Sequence, residues 1–215
     1  RIRTVATSLA NEVIEELRTV PFDEIGLKDG NPGGEIEPVA ERTVDGRKFQ
    51  VKTFINWLEL DEGGSASGDY KGIKVEVSLA GGAFAGKSSR VTAQTAVARD
   101  EAPPIPTGAN IRVHSYRGWK KINDPDQPVN SLKVSVTDKT PGSGSIVSWT
   151  DAKGKALFIE LREGTYEVKP DPAGLHPRMI SLPGRDTFTV EVTEGATAEL
   201  FVSVESPCSL RVTFI

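Results

Sequence analysis

The sequence predicts an α+β fold in two parts: a helix packed on an antiparallel sheet, followed by an all-β sandwich. Three observations predict this arrangement. Apolar residues recur at helical spacing near the start of the chain, and four β-branched, roughly alternating segments follow them. After a proline-rich stretch, seven or eight short strand patterns separated by turn signals fill the rest of the 215 residues.

The helix is expected over residues 1–20. Apolar side chains at Ile2, Val5, Leu9, Val13 and Leu17 form one stripe, and Pro21 ends the helix because proline cannot continue it. No methionine and no capping residue precede the stripe. We therefore expect this segment to be the C-terminal half of a longer helix whose apolar first half is missing.

The next element is a predicted meander of four strands that completes a first domain over residues 1–100. Asp45-Gly46 is a hairpin signal between the first two strands, and a Gly/Ser-rich loop separates the second from the third. One face of such a sheet must be buried, and the helix is the nearest partner in sequence. The predicted strands are Pro38–Val44, Arg47–Leu60, Gly72–Leu79 and Arg90–Val97.

A proline-rich linker over residues 101–108 marks the predicted domain boundary, because clustered prolines favour an extended spacer. The second domain, residues 109–215, is expected to be an all-β sandwich. Its predicted strands are Asn110–Tyr116, Ser131–Thr137, Ser145–Trp149, Lys155–Leu161, Gly164–Lys169, Asp186–Val192 and Thr197–Val204, with a possible last strand at Ser209–Phe214.

The first half resembles the type IV pilins and the pseudopilins of type II secretion. The resemblance is carried by LANEVIEELRTVPFDEI (9–25), DYKGIKVEVS (69–78) and RVTAQTAVARD (90–100), in that order along the chain. It implies a minor pilin on the bacterial surface, held in the inner membrane before assembly by an apolar segment that this sequence lacks. It also implies other pilin subunits as partners, which contact the helix stripe Ile2, Val5, Leu9, Val13 and Leu17.

Two partners can therefore cover the stripe. One is the protein's own sheet, which the amphipathic pattern favours for the lower part of the helix. The other is a neighbouring subunit, which is favoured for Ile2 and Val5 near the N-terminus.

The second half resembles the carboxypeptidase-regulatory or Cna-B-like β-sandwich, which has an immunoglobulin-like architecture. The matching segments are SLKVSVTD (131–138), SWTDAKGKALFIELREGTYEVKPDPAG (148–174) and ATAELFVSV (196–204). Within them, Asp151 and Gly154 are expected to close a hairpin. The resemblance implies a domain displayed for adhesion or for pilus assembly.

A candidate contact patch lies at the end of the first sandwich strand. Tyr116, Arg117, Trp119 and Lys120 combine aromatic rings with positive charge, a composition typical of interfaces with a surface or protein ligand. The alternative is a hairpin whose aromatic rings cap the sandwich.

Catalytic chemistry is not predicted, and no cofactor is expected. The chain has two histidines and one cysteine, with no zinc spacing, nucleophile elbow or phosphate-binding loop among them. A net charge of −4 argues against nucleic acid as a partner. Asp61, Glu62 and Asp69 around the Gly/Ser loop are weak calcium candidates, and solvated charges are the alternative.

The sequence thus predicts a structural minor pilin that is not an enzyme. Two alternatives stay open: a type II secretion pseudopilin, and a secreted two-domain module that binds carbohydrate or protein.

Overall fold

The computed structural model describes residues 2–59, 68–80, 90–100, 108–117, 128–171, 180–182 and 187–205, apart from the side chains of Arg117, residues 180–182, Ser203 and Glu205. Within these ranges the chain forms one α-helix, α1 (Ile2–Arg18), a 3-10 turn at Phe22–Glu24, and twelve β-strands in three four-stranded sheets. The described helices include none with the length and apolar character required to cross a bilayer.

The expected α+β class is wrong, because the described chain is mostly β. Its strands form three sheets, whereas α1 has 17 residues and lies against only one of them. The reason is visible in the sequence, since β-branched and alternating segments continue far beyond the part of the chain that one helix can cover. The molecule is a β protein with one terminal helix.

The first sheet, called here the N-terminal sheet, is an antiparallel meander in the order β1-β2-β3-β4. Alternation along β2 places one row of side chains, from Phe49 to Trp57, on the buried side of the sheet. The helix α1 lies over β3 and β4 on that side. The strands are β1 (Val39–Val44), β2 (Arg47–Leu58), β3 (Tyr70–Leu79) and β4 (Val91–Ala98).

The remaining strands form two sheets, in the orders β10-β12-β5-β8 and β11-β9-β6-β7. Residues from both sheets, among them Ile111, Val134, Phe158 and Val202, share one buried core, so the two sheets make a sandwich. The pair β5–β12 is parallel. The strands are β5 (Ala109–Arg117), β6 (Lys133–Asp138), β7 (Ser145–Trp149), β8 (Lys155–Leu161), β9 (Gly164–Asp171), β10 (Ile180–Leu182), β11 (Phe188–Val192) and β12 (Thr197–Glu205).

Asn31 joins the N-terminal sheet to the sandwich. Its backbone N–H donates to the Val147 carbonyl of β7 at 2.8 Å, and its side-chain amide donates to the Ile159 carbonyl of β8 at 3.2 Å. Its Oδ1 accepts a hydrogen bond from Trp57 Nε1 at 2.7 Å. One side chain therefore contacts both parts of the molecule. The predicted linker lies outside the described residues, except Gly108.

Candidate functional site

The predicted helix stripe is divided into a buried part and a partly exposed part. Leu9, Val13 and Leu17 are 4%, 7% and 8% exposed and lie in the core that α1 shares with the N-terminal sheet. Ile2 and Val5 are only partly buried at the margin of the same core. The N-terminal sheet thus covers the part of the stripe from Leu9 to Leu17. Contact of Ile2 and Val5 with another subunit stays a prediction.

The exposed face of α1 changes character along its length. Its first half carries uncharged side chains, Thr4, Thr7, Ser8 and Asn11, beside the single charge of Arg3. Its second half is acidic and makes ion pairs, from Glu15 to Arg18 at 3.1 Å and from Glu16 to Arg42 of β1 at 3.0 Å. Burial of the first half, with one charged side chain, against another protein therefore costs less desolvation energy than burial of the acidic second half.

Tyr116 of the predicted patch belongs to an aromatic cluster with His114 and Phe201 on the outer face of the sheet that contains β5 and β12. The Tyr116 hydroxyl lies 3.3 Å from His114 Nδ1, and the rings of His114 and Phe201 stack with their centroids 4.6 Å apart. His114 is 8% exposed, whereas Phe201 is 38% exposed. The cluster therefore presents one aromatic ring to solvent on a fixed support.

Charged groups hold this aromatic cluster in place. Glu199 accepts from His114 Nε2 at 2.9 Å and pairs with Arg112, which also pairs with Glu59. Burial lowers the pKa of His114, which favours a neutral imidazole that donates from Nε2 and accepts at Nδ1. Burial opposes ionisation of Glu199, but its interactions with Arg112 and His114 together outweigh burial and lower the pKa of this carboxyl.

The rest of the predicted patch lies outside the described chain, since Trp119, Lys120 and the side chain of Arg117 are not described. Phe201 and Glu199 were not anticipated. They meet the patch because β12 runs parallel to β5 in a register that places Phe201 opposite His114. No local sequence pattern reveals a pairing between strands that are so far apart in the chain.

The structure describes only one of the three predicted calcium ligands. Asp61 and Glu62 lie outside the described residues, and Asp69 stands immediately before β3. One Asp69 carboxylate oxygen is buried and has no hydrogen-bond partner among the described residues. Within the described ranges, no three histidine, cysteine, aspartate or glutamate side chains come together as a metal site.

A cleft between the N-terminal sheet and the sandwich was also not anticipated. It has a volume of about 470 Å³, within the usual range of small-ligand sites, and its lining includes Phe54, Lys74, Gln94, Asn130 and Trp149. Lys74 Nζ lies 4.3 Å from the centroid of the Phe54 ring, and the Phe54 and Trp149 rings meet edge to face at 5.6 Å. The cleft thus combines aromatic surfaces with amide and ammonium donors.

Comparisons with known proteins define no family. No protein-family model matches the chain, and no curated protein matches it. Solved structures give weak likenesses, each at 10–12% identity. GBS52, the minor pilin of Streptococcus agalactiae, has a TM-score of 0.39 over 66% of this chain and 63% of its own.

Two further structures show the same level of likeness. The Bacillus anthracis TIE protein has a TM-score of 0.34 over 82% of this chain and 42% of its own. The pilus 2b backbone protein of group B streptococcus has a TM-score of 0.33 over 63% of this chain and 49% of its own. The chain spans less than two thirds of the length of each of these three proteins.

Proposed function

We propose that this chain is a non-catalytic structural subunit of a filament on a bacterial surface, and specifically a minor pilin of the type IV kind. In this proposal the first half of α1 packs against neighbouring subunits. The sandwich, residues 109–215, projects from a first domain of residues 1–100 beyond the linker at 101–108. The sandwich serves adhesion or pilus assembly.

The observation that carries the proposal is the division of α1. The helix buries Leu9, Val13 and Leu17 in its own molecule, but leaves Ile2 and Val5 partly uncovered beside an exposed face that is uncharged except for Arg3. A helix end with apolar and small polar side chains suits close helix–helix contact, whereas the acidic second half suits solvent. This is the distribution that assembly through the N-terminal end requires.

The second candidate function is a secreted module that binds carbohydrate or protein. The exposed ring of Phe201 in the aromatic cluster favours it, since exposed aromatic side chains on a rigid support are frequent contact residues. The cleft near Phe54 and Trp149 also favours it. A pseudopilin of type II secretion shares the helix contact proposed above.

Fractionation of the native bacterium tests the proposal. Filaments are sheared from cells that produce the complete gene product, and an antibody against this chain quantifies it in the filament pellet, the cell membranes and the medium. The minor-pilin proposal predicts that this protein is found in the filament pellet together with the major pilin. It also predicts that this protein is absent from the pellet of a strain that lacks the major pilin.

Each other distribution contradicts the proposal. Chain that stays free in the medium supports the secreted binding module. Chain that remains in the membrane fraction of a strain with normal filaments supports the pseudopilin, especially when its deletion blocks secretion.

A further inference from the structure

The strand β4 is an edge of the N-terminal sheet with free backbone groups. The Arg99 N–H donates to the Asp69 carbonyl at 2.9 Å, and this bond continues the ladder between β3 and β4. Because bonding alternates along an antiparallel strand, Thr92, Gln94, Ala96 and Ala98 direct their N–H and C=O groups away from β3. Within the described part of the chain, these groups have no hydrogen-bond partner.

Three other sheet edges of the described chain, β1, β7 and β8, are protected. On the opposite edge of the same sheet, β1 is charged at Glu41 and Arg42. The segment Asp29–Asn31 bonds to Val147 of β7 and to Ile159 of β8, so it caps both of these edges. By contrast, β4 runs for 8 residues without a charge or a proline, the devices with which edge strands usually avoid pairing.

We propose that β4 pairs with β4 of a second copy of this chain, antiparallel and about a twofold axis at Thr95. In this register Thr92 faces Ala98 of the partner subunit, and Gln94 faces Ala96 of the partner subunit. Each of the four outward-directed residues then donates one backbone hydrogen bond to the other copy and accepts one. The two N-terminal sheets become one continuous sheet.

The sequence of β4, VTAQTAVA, fits itself in this register. On the exposed face Gln94 lies opposite an alanine, and on the helix face Ala93 lies opposite Val97 of the partner subunit, so large side chains meet small ones. Thr95 meets its own copy, a favourable pair on a sheet face. Repulsion between like charges is the usual obstacle to pairing a strand with a copy of itself. It does not arise along β4, because the strand is uncharged.

The position of α1 leaves room for the pairing, which makes the two helices antiparallel, so the dimer is an arrangement of the free chain and not the helix contact of the proposed filament. The helix lies over β3 and β4, so the two helices flank the twofold axis on the same face of the joined sheet. With neighbouring strands about 5 Å apart, the helix axes lie about 10 Å from each other, which is a normal packing distance. A twofold, self-complementary interface of this kind is the commonest arrangement in homodimers.

Sedimentation equilibrium of the 215-residue chain tests the proposal. The wild-type chain is expected to show a dimer whose population rises with concentration. Ala96→Lys places like charges near the twofold axis, and Ala96→Pro removes an outward N–H but leaves the β3–β4 ladder intact, so both variants are expected to be monomers. The matched control is Thr43→Lys on the exposed edge of β1, which is expected to dimerise like wild type.

Oxidative crosslinking tests the register. In a Cys208→Ser background, Thr95→Cys is expected to give a disulfide-linked dimer, because the two residues form a close pair that is not hydrogen-bonded. Thr43→Cys in the same background is expected to stay monomeric. A chain that is monomeric at every concentration overturns the proposal, as does a dimer that survives both Ala96 substitutions.

Discussion

At the scale of single residues, Lys71 shows how one polar group fixes a loop to the N-terminal sheet. Its side chain is 2% exposed, and its Nζ donates to the carbonyls of Phe22 and Ile25, each at 2.7 Å. Nζ also lies within 5 Å of the ring centroids of Phe22 and Trp57. These contacts tie the turn after α1 to β3, so the ammonium replaces the water that the two carbonyls would otherwise bind.

The titration of Lys71 gives a prediction about stability. Burial lowers the pKa of Lys71 to about 8, from its ordinary value of 10.5 in an unfolded chain. Between these values the unfolded chain binds a proton that the folded chain has lost, so the contribution of Lys71 to the free energy of unfolding rises with pH. Urea unfolding of wild type and Lys71→Met is measured from pH 7 to about 10.5. The unfolding free energy of wild type is expected to rise relative to that of the variant as the pH increases.

The Lys71→Met variant serves as the control, because every other titrating group is common to both proteins. A difference in unfolding free energy that is constant over this range contradicts a lowered pKa for Lys71. If the unfolding free energy of the variant instead rises relative to that of wild type as the pH increases, the pKa of Lys71 is raised in the folded state and not lowered.

These residues also show the limit of sequence-based inference. The predicted third strand began at Gly72, so Lys71 was left outside the buried row that it shares with Ile73, Val75 and Val77. Asn31 lies in a loop without periodicity, and its bonds to Trp57 and Ile159 depend on contacts that a one-dimensional pattern does not contain. Alternation predicts which face a strand residue takes, but it does not predict the partner of a loop amide.

At the scale of elements, strands were predicted well where their residues alternate. The prediction of β7 and β8 agrees with the structure at both ends, whereas β2 ends at Leu58, before Glu59, and Leu60 lies outside the described residues. The parallel pairing of β5 with β12 could not be predicted, since the two strands lie at opposite ends of the sandwich sequence. Their pairing assembles the cluster of His114, Tyr116 and Phe201.

The hairpin between β7 and β8 gives a prediction at this scale. Gly154 has φ +74°, and an added Cβ would lie 2.5 Å from the Ser115 carbonyl oxygen of β5. Gly142 has a similar φ of +89°, but its added Cβ would meet nothing within 4 Å. Gly154→Ala is therefore expected to lower the free energy of unfolding by at least about 2 kcal/mol, and Gly142→Ala by about 1 kcal/mol.

Denaturant unfolding of the two glycine variants measures this difference directly. Both substitutions impose similar backbone strain, so the excess cost of Gly154→Ala reports its close approach to Ser115 and Pro128. Equal losses of stability in the two variants contradict the close approach of this hairpin to β5.

At the scale of the whole molecule, the fold class was the main error. The sequence places α1 correctly at its start, but three sheets determine the architecture, and the helix covers one face of one sheet. Asn31, the Arg112–Glu59 pair and the contact of Lys74 with Ser131 connect the N-terminal sheet to the sandwich.

The central claim is that the first half of α1 contacts other subunits, and incorporation of two variants into sheared filaments tests it most directly. Ser8→Arg adds a second positive charge, beside Arg3, to the first half of the helix, whereas Ser143→Arg makes the same change in an exposed turn of the sandwich. Both variants are expected to fold with wild-type thermal stability. The account predicts that filaments contain Ser143→Arg at the wild-type level and exclude Ser8→Arg. Equal incorporation of the two variants would contradict it.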